Sequence, residues 1–171
     1  RAAIREFQNK WSFQNIQFFT MEELKEALFI TDKPLLKEEK RTLAFYASLS
    51  NQDKSFFKIS NYFQCIELAH NFFDLWENFN EELLPDQLDR QRLQNFDADL
   101  LPWQLLTFER ISSMKVNYRA FVQTHNFDDV IFTTQRANLD TSLVDHFQSI
   151  HFVNQFYYTK LERQILETFC K

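Results

Sequence analysis

The 171-residue chain contains no glycine, where ordinary usage of about 7% would supply roughly a dozen. Phosphate-cradling loops of the G-x-G-x-x-G or G-x-x-x-x-G-K-S/T type need residues without a Cβ, for positive φ and for close backbone approach to the phosphate. Such loops are excluded. With its turns left to Asn and Asp, the chain reads more easily as an internal segment of a longer polypeptide than as a complete enzyme. Cysteine is scarce as well: Cys65 and Cys170 are the only two, without C-x-x-C spacing or a histidine pair. Neither a disulfide framework nor a zinc site is expected, and a reduced, cytoplasmic setting is the simpler expectation. No run approaches the roughly 18 apolar residues of a membrane span, and Arg1 to Phe7 has no apolar signal-peptide core, so no membrane partner is expected. Basic excess is missing too. A net charge of -5 argues against an autonomous nucleic-acid binder.

What is present is aromatic. Phe, Tyr and Trp make up 17% of the residues, with 21 Phe, against 25% charged, a balance that folds rather than stays disordered. One domain of this length buries a real core without staples. The hydrophobic period is mostly helical. Thr20-Met21-Glu22-Glu23 is a capping box that opens a helix to about Phe29. Thr31 and Asp32, with Pro34 in the first turn, read as a second helix start carrying Leu36, Leu43, Tyr46 and Leu49, and Asn51 to Lys54 as a polar break. From Ser55 the positions Ile59, Phe63, Ile66, His70, Phe73 and Trp76 recur at spacings of four and three, widened by Tyr62, Ala69 and Phe72. This reads as the longest helix, ending before Pro85, with Phe63, Ile66, Phe73 and Trp76 in the core.

Asp86 to Leu93 reads as a short charged helix or helical turn. Pro102 opens another long amphipathic helix that stops near His125-Asn126, with Trp103, Leu106, Arg110, Met114, Tyr118 and Phe121 near one face. Asp128 reads as the cap of a further short helix to about Asn138, preferred over a strand at Val130 to Thr134. Ser149 to Val153 alternates and reads as a short strand. Thr159-Lys160-Leu161-Glu162 then forms a second capping box, opening a helix with Leu161, Ile165, Leu166 and Phe169. The expected fold is therefore mainly α: a helical, bundle-like subdomain over 1–148, and a strand, loop and helix over 149–171, one domain overall. A lone strand cannot pair with itself, so residues 149–153 are expected to join a sheet outside this segment or at its edge.

Constellations with chemical promise have plainer readings. Glu22-Glu23, Glu38-Glu39 and Glu81-Glu82 sit at helix ends, where acids are favoured by the macrodipole or simply solvated. His70 falls on an apolar stripe, where a hydrogen-bonded, partly buried histidine is the default. Ser112-Ser113 lacks a nucleophile elbow. Asp128-Asp129 with Asp97 and Asp99 have the ligand chemistry of a Mg²⁺ site, but loop acids acting as caps are the stronger reading. No catalytic, cofactor-binding or metal-binding residue is assigned. Two basic groups, Lys37, Lys40, Arg41 and Arg110, Lys115, Arg119, have the charge to touch phosphates, and the second is the candidate DNA contact. The pairs Phe18-Phe19, Phe56-Phe57 and Phe72-Phe73 point in different directions on a helix, so one of each is expected to face a neighbouring domain.

The order of pieces resembles the AddB-like subunit of bacterial AddAB helicase–nucleases, within the group of UvrD-like helicases and PD-D/E-x-K exonucleases. Ala27 to Arg41 is similar to the family's short helix leading into an "L-x-x-x-x-R" pattern. The helix through Glu67-Leu68-Ala69 and Leu75-Trp76-Glu77 resembles its "A-x-x-L-x-x-L-x-x-E" helix, and Trp103 to Phe108 its "W-x-x-x-L-x-F-L" helix. Ile150 to Leu166 resembles the strand followed by "G-F-x-x-L-T-x-x-E-x-x-I-L", with Asn154 where glycine is usual. The resemblance implies the helical subdomain of the N-terminal helicase-like domain. Its partners would be the rest of the parent polypeptide, an AddA-like helicase subunit and DNA, in double-strand-break repair and recombination. The family's nuclease motif and iron-sulfur cysteines lie far downstream, so no catalytic residue carries over. A free-standing helical protein-interaction module is the alternative from composition, and a metal-dependent hydrolase a third.

Overall fold

A computed structural model describes residues 16–85, 101–134, 139–153 and 157–169. Among them are seven α-helices and a single 3-10 turn at Val144–His146: α1 Met21–Leu28, α2 Glu38–Ser48, α3 Asn51–Phe56, α4 Tyr62–Glu81, α5 Pro102–Thr124, α6 Val130–Thr133 and α7 Lys160–Phe169. The fold is mainly α, as the periodicity indicates. Two isolated bridges, Phe29 with Leu139 and Leu35 with Asp128, are the β pairings of the described residues.

Local chemistry explains the ends of these helices. Thr20 Oγ1 accepts the Glu23 N–H at 3.1 Å while Glu23 accepts the Thr20 N–H at 2.7 Å, the reciprocal capping box. Thr159 and Glu162 repeat it at 3.2 and 3.0 Å for α7. A third box, Ser50 with Asp53, turns the expected polar break at 51–54 into α3. Lacking glycine, the chain places Lys58, Leu83 and Asn126 in the left-handed region, at φ 55, 51 and 59°. Each follows a helix and completes a Schellman motif: the next residue's N–H reaches back to Lys54, Phe79 and Val122 carbonyls respectively, satisfying groups the helix end leaves orphaned.

The main core is where α2, α4, α5 and α6 meet. Phe45, Cys65, Ala69, Phe72, Phe73, Trp76, Met114, Tyr118, Val122 and Ile131 are buried together there. Phe45, Phe72, Phe73 and Tyr118 pack as a cluster with ring centroids 4.5 to 6.2 Å apart, within the range favoured by aromatic pairs. A smaller core joins α1 to α7 through Leu24, Leu28, Phe29, Leu161 and Ile165. The C-terminal helix thus packs on the same body as the N-terminal one and also touches α4.

Several expectations need correction. Residues 31–37 are not helical: the Leu36 N–H bonds the Asp128 carbonyl at 2.8 Å and the Asp128 N–H bonds the Pro34 carbonyl at 3.1 Å, so the backbone groups that a helix would use are spent on a crossing segment. α4 starts at Tyr62, capped by Asn61, rather than near Ser55. Its buried stripe is Cys65, Ala69, Phe72, Phe73 and Trp76, which leaves Ile66 half-buried, His70 exposed and Phe63 79% exposed. Both Phe72 and Phe73 are buried; the width of the stripe accommodates neighbours 100° apart. The longest described helix is α5, of 23 residues against 20 for α4. A short helix after Asp129 is present at Val130–Thr133. Residues 149–153 form no strand; they run without regular structure and are exposed, since no sheet edge exists among the described residues to receive them. The expected helix at 86–93, together with Asp97, Asp99 and Cys170, lies outside the described residues.

Candidate functional site

Asp129, weighed at the sequence level as a metal ligand, is fully buried. As N-cap of α6 it accepts the Ile131 N–H at 3.0 Å. Arg41, projecting from α2, donates to both carboxylate oxygens, Nε at 2.7 Å and Nη2 at 2.8 Å, and Tyr118 Oη donates to Oδ2 at 2.6 Å from α5. Arg41 also pairs with Glu77 of α4 at 2.7 Å and lies over the Phe73 ring, 3.8 Å from its centroid. One bidentate arginine therefore ties α2, α4, α5 and α6 together. Burial opposes the Arg41 charge, but the hydrogen bonds to Asp129, its charge and Glu77 outweigh that and raise the pKa. Burial, then the charge of Asp129 and the bond to it, pushes the Tyr118 phenol far up. Asp128 is engaged beside it: its carboxylate accepts from the Thr31 hydroxyl. With these oxygens committed to protein donors, the aspartate pair works as a structural latch between segments 31–36 and 127–133.

A second polar cluster joins α1, α4 and α7. Lys25 of α1 bonds Glu81 of α4 at 2.7 Å and faces Glu162 of α7 at 3.5 Å. Glu81 also accepts from the Thr159 hydroxyl at 2.6 Å. Burial lowers the Lys25 pKa, but bonding to Glu81, its charge, and then Glu162 carry it upward. Glu81, read as a solvated helix-end acid, is thus the hinge pin between three helices. The signal for it in the sequence was thin, because the partners lie 56 and 78 positions away.

The candidate DNA-contact residues do not form one outward row. Lys115 is buried at 5% exposure with its ammonium 3.9 Å from the centre of the Trp76 ring. Arg119 is half-buried, 4.5 Å from the centre of the Phe132 ring. Arg110 bonds Gln52 at 3.3 Å and faces Asp53 at 3.9 Å. Arg110 and Arg119 are nine positions apart, two and a half turns at 3.6 residues per turn, and so lie on opposite sides of α5. Of the other basic group, Lys37 pairs with Glu26 at 3.1 Å, both exposed, and Arg41 belongs to the latch.

Large apolar side chains also stand exposed on α5. α5 buries Leu105, Met114, Tyr118 and Val122, yet Leu101, Trp103, Leu106 and Val116 stand 52, 62, 47 and 63% exposed. Trp103, Leu106 and Arg110 share one side, at helical spacings of three and four. Arg110 closes a shallow hollow with Asn51, Gln52, Ser55 and Phe56 from α3. No group of three metal-ligand side chains is assembled among the described residues, and none of the described helices is long and apolar enough to cross a membrane. Compared with protein-family profiles, curated proteins and solved structures, the chain matches none.

Proposed function

We propose that this chain is the non-catalytic helical subdomain of an AddB-like subunit in a helicase–nuclease that processes DNA double-strand breaks. Its role there is scaffold and contact surface toward the rest of the parent polypeptide and an AddA-like partner. The observation that carries the contact role is the start of α5, where Trp103 and Leu106 stand 62 and 47% exposed although they share the side of the helix that buries Met114 and Tyr118 further along. An apolar stripe that continues past the end of its cover belongs in a larger core. The exposed segment Ile150 to Val153, apolar but for His151 and without a strand partner among the described residues, supports a strand that completes a sheet elsewhere. The parent's identity rests on the resemblance of Ala27 to Arg41 and Ile150 to Leu166. Polypeptide contact is favoured over a DNA path along Arg110, Lys115 and Arg119, because those cations point to different sides.

The test is the pair Trp103→Glu and Leu106→Glu. In the isolated chain, circular dichroism stays unchanged and stability changes little, since Trp103 is mostly solvated and Leu106 about half so. In the assembled helicase–nuclease, the pair disrupts association with the rest of the parent or the partner subunit. Intact assembly with both changes present contradicts the reading. A native polypeptide consisting of this chain alone instead favours the free-standing interaction module.

A further inference from the structure

Trp103, Leu106 and Arg110 fall within about 60° of one another around α5. The Arg110 guanidinium is held in place rather than loose. Its Nη1 donates to Gln52 Oε1 at 3.3 Å and lies 3.9 Å from Asp53 Oδ1, and its Cζ sits 5.8 Å from the centre of the Phe56 ring. At that distance Asp53 accepts no hydrogen bond from it, and the other oxygen of Asp53 is taken by the Ser50 N–H and hydroxyl. Nε and Nη2 of Arg110 meet no acceptor among the described residues, and the side chain is 34% exposed. Beside it α3 turns outward Asn51, Gln52, Ser55 and Phe56, which with Arg110 line the shallow hollow. The result is a surface of Trp, Leu, Phe and Arg with an edge of uncharged amides and a hydroxyl, bordered beyond Leu106 by exposed Glu109.

We infer that this surface of α3 and α5 seats an amphipathic helix of the partner subunit, one that carries an Asp or Glu to pair with Arg110. The inference rests on the assembly role proposed above and gives that contact its chemistry. Aromatic and arginine side chains inside a polar rim are what anchor protein interfaces. The rim lets this face stand in water until a separately folded subunit arrives. A helix satisfies its own backbone groups, whereas an extended chain needs a strand edge to pair with, and the described residues form none. Charge complementarity selects the acid. A guanidinium with two nitrogens open takes a carboxylate as a bidentate pair, and one cation with Asp53 beside it suits a single carboxylate rather than a row of phosphates. On the partner helix the acid lies about 10 Å along from the apolar side chain that meets Trp103, the rise of the seven positions from Trp103 to Arg110.

The test is made in the assembled complex. Arg110→Lys is treated with a water-soluble carbodiimide, which joins an amine to a carboxylate in contact with it, and the products are mapped by mass spectrometry. A cross-link from position 110 to an Asp or Glu in a helix of the partner subunit is expected. Arg110→Gln, with the circular dichroism of the chain intact, lowers the affinity between the subunits about tenfold, and Arg110→Lys lowers it less, since it keeps the charge and loses the bidentate geometry. Links only to acids of this chain or of the rest of the parent polypeptide overturn the inference, as does unchanged subunit affinity for Arg110→Gln. If Trp103→Glu with Leu106→Glu still breaks assembly in that case, the assembly role stands without this partner helix; intact assembly under those two changes removes the role itself.

Discussion

Replacing Asp129 by alanine removes the acceptor for four donors at once: two from Arg41, one from Tyr118 and the Ile131 N–H. Breaking a buried ion pair from one side costs about 3 to 5 kcal/mol, because the other charge is left uncompensated. An orphaned buried hydroxyl adds about 1 to 3 kcal/mol, and a lost N-cap about 1 kcal/mol. These sums are not additive within one network. Arg41 keeps Glu77 and its side chain is 16% exposed, so it can recover some solvation. The expected loss is therefore about 4 kcal/mol, a large share of the roughly 5 to 15 kcal/mol that holds an ordinary domain. Urea unfolding followed by circular dichroism reads it as a lower midpoint at unchanged slope. Asp129→Asn, which keeps an acceptor oxygen but not the charge, should lose about half as much. Paired with Arg41→Met, the cycle should show a coupling above about 2 kcal/mol, since the second change removes the stranded charge. A loss below about 1 kcal/mol for Asp129→Ala, or additive single changes, would refute the latch.

Phe73→Ala should cost about 3 to 5 kcal/mol, whereas Phe63→Ala should fall within about 0.5 kcal/mol of the parent; chemical denaturation of both checks the assignment of α4's buried face. Leu83→Gly should stabilise by about 0.5 to 1 kcal/mol, because glycine adopts the left-handed region without the penalty of a Cβ; thermal denaturation showing a loss would contradict the Schellman assignment. Stability should fall as pH rises above about 10, at about 1.4 kcal/mol per unit for Tyr118, because the unfolded phenol ionises there while the folded one holds its proton. Burial pushes the Cys65 thiol up to about 11, with Lys54 opposing, which adds a fall in stability between about pH 9 and 11. Phenolate absorbance that appears near pH 10 for all five tyrosines without unfolding would contradict the burial of Tyr118.

Short-range chemistry was legible in the sequence wherever the interacting groups lie within one turn. The boxes at Thr20-Glu23 and Thr159-Glu162 were visible because both partners sit three positions apart, and the fold class followed from period alone. The register of α4 was not: a helix with six aromatic residues offers several stripes of similar apolarity, and only contact with Phe45 and Tyr118 selects the one through Cys65, Ala69 and Trp76. Asp129 was rightly read as structural, but its partners Arg41 and Tyr118 lie 88 and 11 positions away, and nothing local links them. For the same reason Lys115 read as a phosphate contact. A lysine above a buried tryptophan has no sequence mark that separates it from one in solvent. The alternation at 149–153 read as a strand and none forms there, because propensity without a neighbouring strand among the described residues leaves the segment irregular.

The subdomain reading makes a demand on the natural protein that one immunoblot can meet or deny. An antibody raised against this chain, used on the cells that make it, should detect a polypeptide several times larger than the 20.8 kDa of the chain itself. A principal band at 20.8 kDa would contradict the account, because a scaffold inserted in a helicase-like parent has no such free form.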